Sequence, residues 1–505
     1  MNRPPRSWTA CTPFPTTRCG MTVIPSFPRA SGGLPMRPTS DSDSSASNRT
    51  IPPRPRLHRT PNPHLRKTSM TNHDPSSRRP SISRRRFIAT TSVGAALPLA
   101  AGAFGGLSVP RSEEIRVGLI GCGGRGKGAA RNALEASPDT TIHAIGDIFP
   151  DRVRDARSGF STMSENFGDR AIPAEERCYV GWDAFQEVLA TDCDYVILAT
   201  PPGFRPQHFE AAIGAGKHVF MEKPVAVDPA GIRTVLEASK AADERKLSVV
   251  SGTQRRHQAG YLALIEQIRN GAIGTPLSAQ CYWNQGGLWS VDAQADRSDM
   301  ENQLRNWLYH TWLSGDHIVE QHVHNIDVVN WVFDAHPISV YGVGGRQVRT
   351  EPKYGHIFDH FSLEYVYPDD RVAHSMCRQQ IGTQQRVEER VIGSEGRVTT
   401  GQGIRILGPN QWRFSGDQVN PYVQEHIDLQ ASMRGTGPHL NEGQRIAEST
   451  MSAIMGREAA YTGQLITWDD AMSSTLDLTP EVHEFGARTE HAVAVPGVTE
   501  LNRTV

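Results

Sequence analysis

Three clusters of residues in this chain have the types and spacing to do chemistry. Gly121-Cys122-Gly123-Gly124-Arg125-Gly126 places three glycines where a backbone can wrap a pyrophosphate. Glu222-Lys223-Pro224 offers an ammonium that can hydrogen-bond a reacting hydroxyl. The segment from Gly315 to Asp327 is dense in acids and histidines: Asp316, His317, Glu320, His322, His324 and Asp327. At about 3.6 residues per turn, Glu320, His324 and Asp327 share one face of a helix, and Asp316 extends it. His317, Gln321 and His324 form an overlapping stripe. Such carboxylates and imidazoles suit proton transfer. Glu320 with nearby histidines also has the chemistry of a metal site, although His317 and His322 read more simply as structural or solvated. No metal is assigned.

The elements that must hold these residues follow from apolar patterning. A β run at 115–120 leads into the glycine loop, and 126–136 reads as a helix. A second strand, 142–145, ends at Asp147, whose carboxylate would accept ribose hydroxyls and repel a 2′-phosphate. That favours NAD over NADP. Strands at 195–199, 218–221 and 247–251 alternate with helices at 207–215 and 230–244. Alternation of this kind means a parallel, doubly wound sheet. Gly121 permits the turn, Gly123 the approach of the pyrophosphate, and Gly126 close packing of helix on strand. Lys223 lies at the carboxyl end of a strand, the edge where such sheets bind ligands.

Beyond Gln254 the rhythm changes. Strands are expected at 277–283, 339–348, 358–367, 372–377 and 387–392, with helices at about 316–333 and 441–461. The fold class is therefore an α/β Rossmann domain followed by an α+β domain with an open-faced, largely antiparallel sheet.

With these residues on the page, the chain resembles the Gfo/Idh/MocA oxidoreductases, relatives of glucose-fructose oxidoreductase and inositol 2-dehydrogenase. The likeness rests on Gly121 to Gly126, on Ala199-Thr200-Pro201-Pro202 with His208, and on Ala215-Gly216-Lys217-His218-Val219. It continues through Glu222-Lys223-Pro224, His324-Asn325-Ile326-Asp327, Tyr461-Thr462-Gly463 and Trp468-Asp469. The resemblance implies hydride transfer at a sugar or cyclitol carbon, with NAD tightly bound and NADP less favoured. It places Cys122, Gly124, Arg125, Thr200, Pro201, Pro202, His208 and Glu222 with the glycines at the cofactor. It makes Lys223 the catalytic lysine and His324 the catalytic histidine, with Asp327 the following acid at the substrate. The family pattern D-x-G-x-H-x-x-D departs here, with Glu320 for its first Asp and His322 for its Gly. On this reading His324, titrating near neutral, takes the hydroxyl proton, and Lys223 stabilises alkoxide character. Glu320 orients His324 or carries substrate hydroxyls. The resemblance also implies a homo-oligomer formed through the second-domain sheet.

Two further groups join the candidates. Trp283 to Trp289 and Arg305-Asn306-Trp307 are aromatic and polar, so Trp283 and Trp307 suit stacking on a sugar ring, or else an oligomer contact or core. Arg255-Arg256-His257 follows the last Rossmann strand; Arg256 would help shape the domain crossing at the substrate, unless it is surface charge.

The 505-residue chain has a formal net charge of -1, which gives no overall basic field for nucleic acid or an anionic membrane. Its seven cysteines form no CxxC, which argues against structural zinc and a disulfide framework. Residues 1–82 are rich in Pro, Arg and Ser and are expected to be a disordered extension, with Met70 a plausible true start. Residues 83–112 carry Ser83-Arg84-Arg85-Arg86-Phe87-Ile88, a small-residue apolar run and Ala101-Gly102-Ala103. These are the parts of a twin-arginine export signal, with an uncleaved anchor or a chance arginine run as the blander reading. The expected organisation continues with a NAD-binding domain at 113–253, a substrate and oligomerisation domain at 254–480, and a tail at 481–505.

The expectation is an NAD-dependent oxidoreductase of a sugar or cyclitol, exported to the periplasm by the Tat machinery with its cofactor bound. A redox-neutral NAD-dependent glycoside hydrolase is the second reading, although the Tyr-Pro-Thr-His-Gly stretch of such relatives is missing. A non-catalytic sugar-binding protein is the third, and Lys223 with His324 argues against it.

Overall fold

A computed structural model describes residues 114–503, so the export-signal expectation lies outside the described residues. Six strands make the first sheet: β1 (Ile115–Ile120), β2 (Thr140–Asp147), β3 (Cys178–Val180), β4 (Tyr195–Leu198), β5 (His218–Met221) and β6 (Val249–Ser251). Their order is β3-β2-β1-β4-β5-β6 and every pairing is parallel. β4 is buried along its whole length, as a strand with helices on both faces must be. The helices are α1 (Gly124–Ala136), α2 (Pro150–Phe167), α3 (Ala184–Ala190), α4 (Arg205–Gly214) and α5 (Pro229–Glu244). The strand order reverses between β1 and β4, which opens the ligand crevice at their carboxyl ends.

The chain then runs through α6 (Ala259–Arg269) into β7 (Pro276–Gln285), the central strand of a second sheet. The other strands are β8 (Ser339–Gly345), β9 (His360–Val366), β10 (Val372–Gln379), β11 (Arg386–Gly393), β12 (Arg397–Thr399), β13 (Arg405–Leu407), β14 (Trp412–Arg413) and β15 (Ile466–Thr467). The order is β14-β13-β12-β11-β7-β10-β9-β8-β15. Only the β7–β10 pairing is parallel. Period-2 patterning makes this sheet two-faced. Phe361, Leu363 and Tyr365 of β9 point into the core, while Glu364 points out. Helices of the same domain cover the inner face.

The remaining helices are α7 (Asp299–Arg305), the one-turn α8 (Thr311–Ser314) and α9 (His317–Glu320), then α10 (Val323–Phe333), α11 (Pro421–Met433), α12 (Gly443–Thr462) and α13 (Trp468–Ser473). α12 is buried over nearly all its length and packs between the second sheet, α10 and α5. α11 has no counterpart in the sequence reading. It returns to the first domain and lies on α1, where Gln430 Nε2 donates to Thr140 Oγ1 at 3.0 Å.

One expectation is corrected. The helix expected over 316–333 is two helices, α9 and α10, broken at Gln321 and His322. The carbonyl of Glu320 would accept the His324 N–H in a continuous helix. Lys223 Nζ donates to that carbonyl instead, at 2.6 Å, and the His324 N–H turns to Gln321 O at 3.4 Å. Glu320, His324 and Asp327 therefore do not share one helical face.

The segment read as a C-terminal tail lies on the body. Phe485 stacks on Phe149 at 5.8 Å between ring centroids, and Arg503 pairs with the buried Glu458. The five described cysteines are free thiols.

Candidate active site

The glycine loop owes its shape to contact with β4. Gly121 has φ +100°, and a Cβ there would sit 2.6 Å from the backbone of Ala199 and Thr200. Any side chain would wedge the two strands apart at the switch point. A Cβ on Gly126 would run into the Gly121 carbonyl, so α1 can start close to β1 only with glycine there. The N-cap residue Gly123 supplies no side-chain bond to α1, which leaves first-turn N–H groups facing the crevice. Asp147 Oδ2 accepts from Cys122 N at 2.8 Å and Oδ1 from Phe149 N at 3.0 Å. Those donors hold the carboxylate beside the glycine loop, although burial raises its pKa.

A cavity of about 770 Å³ lies on this crevice. Gly121, Gly123, Gly124, Arg125, Asp147, Thr200, Pro201 and His208 line it, as does Trp307 from the second domain. Cys122, Gly126 and Pro202 are buried and do not line it, Cys122 being 1% exposed. His208 is held by Thr200 Oγ1 at 3.2 Å and stacks on Phe185 at 4.4 Å. Burial and Arg205 push its pKa down to about 3, so its ring is neutral. Trp289, from the stretch singled out in the sequence, lines the cavity too, whereas sequence reasoning missed Phe149, Trp182 and His483, which also line it. Trp182 stacks on His483 at 5.8 Å, so the C-terminal segment covers one end of the cavity. Nothing local in the sequence marks that pairing.

The lining fits a dinucleotide: open helix N–H groups for phosphates, Asp147 for a ribose, and aromatic walls. The glycine loop, Asp147 and Thr200 would hold it, and bound NAD would supply the hydride acceptor.

Lys223 stands at the end of β5. Its Nζ donates to Glu320 Oε1 at 2.9 Å as well as to the Glu320 carbonyl. Both side chains are 13% exposed, so the pair is shielded but reachable. Beside it Glu222, buried, accepts from Arg125 Nε at 2.5 Å, and Arg125 packs on the Tyr422 ring. That pair ties the glycine loop to β5.

His324 is buried, and its Nδ1 has no hydrogen-bond partner. It is positioned by stacking on Trp283, with ring centroids 5.7 Å apart and planes 20° apart. Arg255 lies over the same Trp283 ring at 5.9 Å. Burial, then the charges of Lys223 and Arg255, hold the imidazole well below its ordinary pKa. The near-neutral titration expected for His324 is therefore corrected: its ring stays neutral to much lower pH.

Other candidates sit elsewhere. Asp327 is 1% exposed and accepts from Arg256 at 2.9 Å, from Arg445 at 3.3 Å and from Ser449 at 2.8 Å. Burial opposes its charge, but the two arginines outweigh it and lower its pKa. Arg256 thus faces Asp327 and the Trp331 ring. His322 Nε2 meets Ser375 Oγ at 2.7 Å, and His317 Nδ1 meets Asp316 at 2.9 Å. These two histidines have structural partners and do not converge with Glu320 and His324. Glu389 was not singled out from sequence; it accepts from Arg255, Tyr261, Asn325 and Thr400 beneath the site.

Comparison with known proteins agrees with this geometry. Residues 115–251 match the family described as an oxidoreductase family with an NAD-binding Rossmann fold, GFO_IDH_MocA. Residues 261–399 match the GFO/IDH/MocA C-terminal domain. An inositol 2-dehydrogenase 3 of Saccharopolyspora erythraea is 29% identical over 370 residues, 70% of this chain and 95% of that protein. An inositol 2-dehydrogenase of Acidothermus cellulolyticus is 27% identical over 312 residues, 62% and 79% of the two chains. Among solved structures, scyllo-inositol dehydrogenase of Lactobacillus casei with bound NAD(H) and scyllo-inositol shares the fold at a TM-score of 0.53 and 20% identity. It is matched over 70% of this chain and 99% of that one. Aldose-aldose oxidoreductase of Caulobacter crescentus gives 0.55 at 18% identity, over 70% and 100%. Two matched domains in their family order, joined to a Rossmann crevice built for a dinucleotide, make this chain a member of the Gfo/Idh/MocA family of NAD-dependent oxidoreductases.

Proposed function

We propose that this protein interconverts a ring CH–OH and its ketone on a cyclitol or sugar, using NAD that it retains. The observation that carries the reading is Lys223 held on Glu320 at the sheet edge, with an unbonded His324 nearby. Inositol dehydrogenases among the relatives support a cyclitol.

In the oxidative direction the hydroxyl donates its proton to His324, whose Nδ1 has no hydrogen-bond partner among the described residues. With NAD held by the glycine loop, Asp147 and Thr200, the nicotinamide would take the hydride as the C–H bond breaks, and the electron pair left on oxygen would form the C=O. Lys223 Nζ donates to that oxygen and stabilises its developing charge. Glu320 fixes the ammonium in place. Trp283 keeps the imidazole plane, and its ring offers an apolar face to the substrate.

The twin arginines at Arg84 and Arg85 before an apolar run support export through the Tat machinery with the cofactor already bound. The second sheet supports a homo-oligomer. Tyr341, Val343, Met376 and Ile392 are exposed on it, a spread of apolar side chains suited to a second copy. Among the described residues no helix is long and apolar enough to cross a membrane.

The test is to denature the purified protein, identify the released nucleotide, and screen cyclitols, sugars and glycosides with the native form. A stoichiometric change in nicotinamide absorbance supports the dehydrogenase. Hydrolysis with no net change in nicotinamide would replace it with the redox-neutral reaction.

A further inference from the structure

Away from the active site, two histidines and an acid from three distant parts of the chain converge. His310 precedes α8, His356 lies between β8 and β9, and Glu490 comes from the C-terminal segment. Their ligand-capable atoms all lie within 4.8 Å of one another, the one such group among the described residues. Glu490 Oε1 accepts from His310 Nδ1 at 3.1 Å and from His356 Nδ1 at 2.6 Å. Both histidines are buried, 5% and 4% exposed, while the Glu490 side chain is 45% exposed. The ligand atoms of a tetrahedral zinc stand about 3.3 Å apart, given metal–ligand bonds near 2.0–2.1 Å. Glu490 Oε1 already stands near that distance from both ring nitrogens, and with all three ligand atoms inside 4.8 Å a modest inward shift would close them on one ion.

Three surroundings point the same way. His356 Nε2 is held by Thr311, 2.6 Å from Oγ1 and accepting from the backbone N–H at 3.3 Å, and these outer partners fix the ring with Nδ1 toward Glu490. His491, next in sequence, has a buried Nε2 with no partner, and its ring is 5.2 Å from that of His356. His310 and Glu490 also line a cavity of about 410 Å³, with room for water to complete a coordination shell. Arg488 of the same segment lines this cavity too, with its guanidinium over the Trp312 ring at 4.5 Å.

We propose that His310, His356 and Glu490 bind one divalent transition-metal ion, zinc foremost, which staples the C-terminal segment to the second domain. Two imidazoles and one carboxylate select such an ion over Mg²⁺ or Ca²⁺, which prefer all-oxygen shells. The same segment carries His483 and Phe485 onto Trp182 at the cofactor cavity, so the ion would fix the strand of chain that covers it.

The experiment is calorimetric titration of Zn²⁺ into the untagged, chelator-washed full chain and into a His310→Ala, His356→Ala double variant. One Zn²⁺ per chain is expected for the wild type, with affinity at least about 100-fold weaker in the double variant, beyond the usual cost of losing an outer partner alone. Should the double variant fail to fold, Glu490→Gln carries the same expectation, because that side chain is half exposed. No binding by the wild type, or unchanged affinity in the folded variant, would overturn the site. Mg²⁺ binding as tightly as Zn²⁺ would overturn the ligand class. None of these readouts depends on hydride transfer.

Discussion

Lys223 grips Glu320 at two points, its carboxylate at 2.9 Å and its backbone carbonyl at 2.6 Å. One ammonium thereby places a carboxylate and interrupts a helix. His324 is released from the turn it would otherwise occupy, and its ring falls against Trp283.

Replacing Lys223 by Met removes the donor and both bonds. The expected result is a loss of about 10²–10⁴-fold in kcat, the range for removing one acid–base or oxyanion donor. Steady-state rates read it. Glu320→Gln keeps the carbonyl bond and loses only the charge, so a smaller fall of about 10-fold is expected, with secondary structure by circular dichroism unchanged.

The low pKa of His324 shapes the pH profile. A base must be neutral to act, and an ordinary imidazole would lose half its activity near pH 6.5 as pH falls. Burial and Lys223 move that limb to lower pH here, so kcat/KM for oxidation should stay level through the region from about pH 7 to 6. A half-loss close to pH 6.5 would show that His324 is not the group titrating, or is not buried as described.

Stability should depend on pH with a definite sign. His208, His322 and His426 are buried, and burial pushes each down to about 3. Their folded pKa values lie below the unfolded ones, so between about pH 6.5 and 3 the unfolded chain binds more protons. Each such histidine costs up to about 1.4 kcal/mol of stability per pH unit on acidification across that window. Denaturant midpoints should fall steeply from pH 6.5 downward, and His322→Asn should flatten the slope by up to one proton. Above about pH 7 these groups contribute no pH dependence.

Asp147 is aligned by two backbone N–H groups beside the glycine loop. Asp147→Ser should weaken NAD by about 10-fold, one good hydrogen bond to a charged group, and remove the repulsion against a 2′-phosphate. Competition binding of NAD and NADP to stripped protein measures both effects.

How far the sequence revealed this molecule depended on whether each feature is local. The glycine loop, Asp147 and Lys223 are set by strand ends and turns within a few residues, and they read directly from type and spacing. The helix break at Gln321 did not, because Lys223 competes for a carbonyl 97 residues away. Asp327 and Arg256 each looked like site residues by position. Their pairing follows from the packing of the 254–257 turn against α10, with Arg445 and Ser449 of α12 on the same carboxylate, which periodicity does not report. The same holds for α11 on α1 and for His483 on Trp182, contacts made only when distant segments dock.

The most direct measurement is a single-turnover reaction of the NAD-loaded protein with its best cyclitol or sugar, followed by nicotinamide absorbance, in the wild type and in a Lys223→Ala, His324→Ala double variant. The account predicts one equivalent of reduced nicotinamide per site in the wild type, with a rate at least about 10³-fold slower in the folded double variant. Full-rate reduction in that variant would contradict the assignment of Lys223 and His324 as the groups that handle the proton and the oxygen.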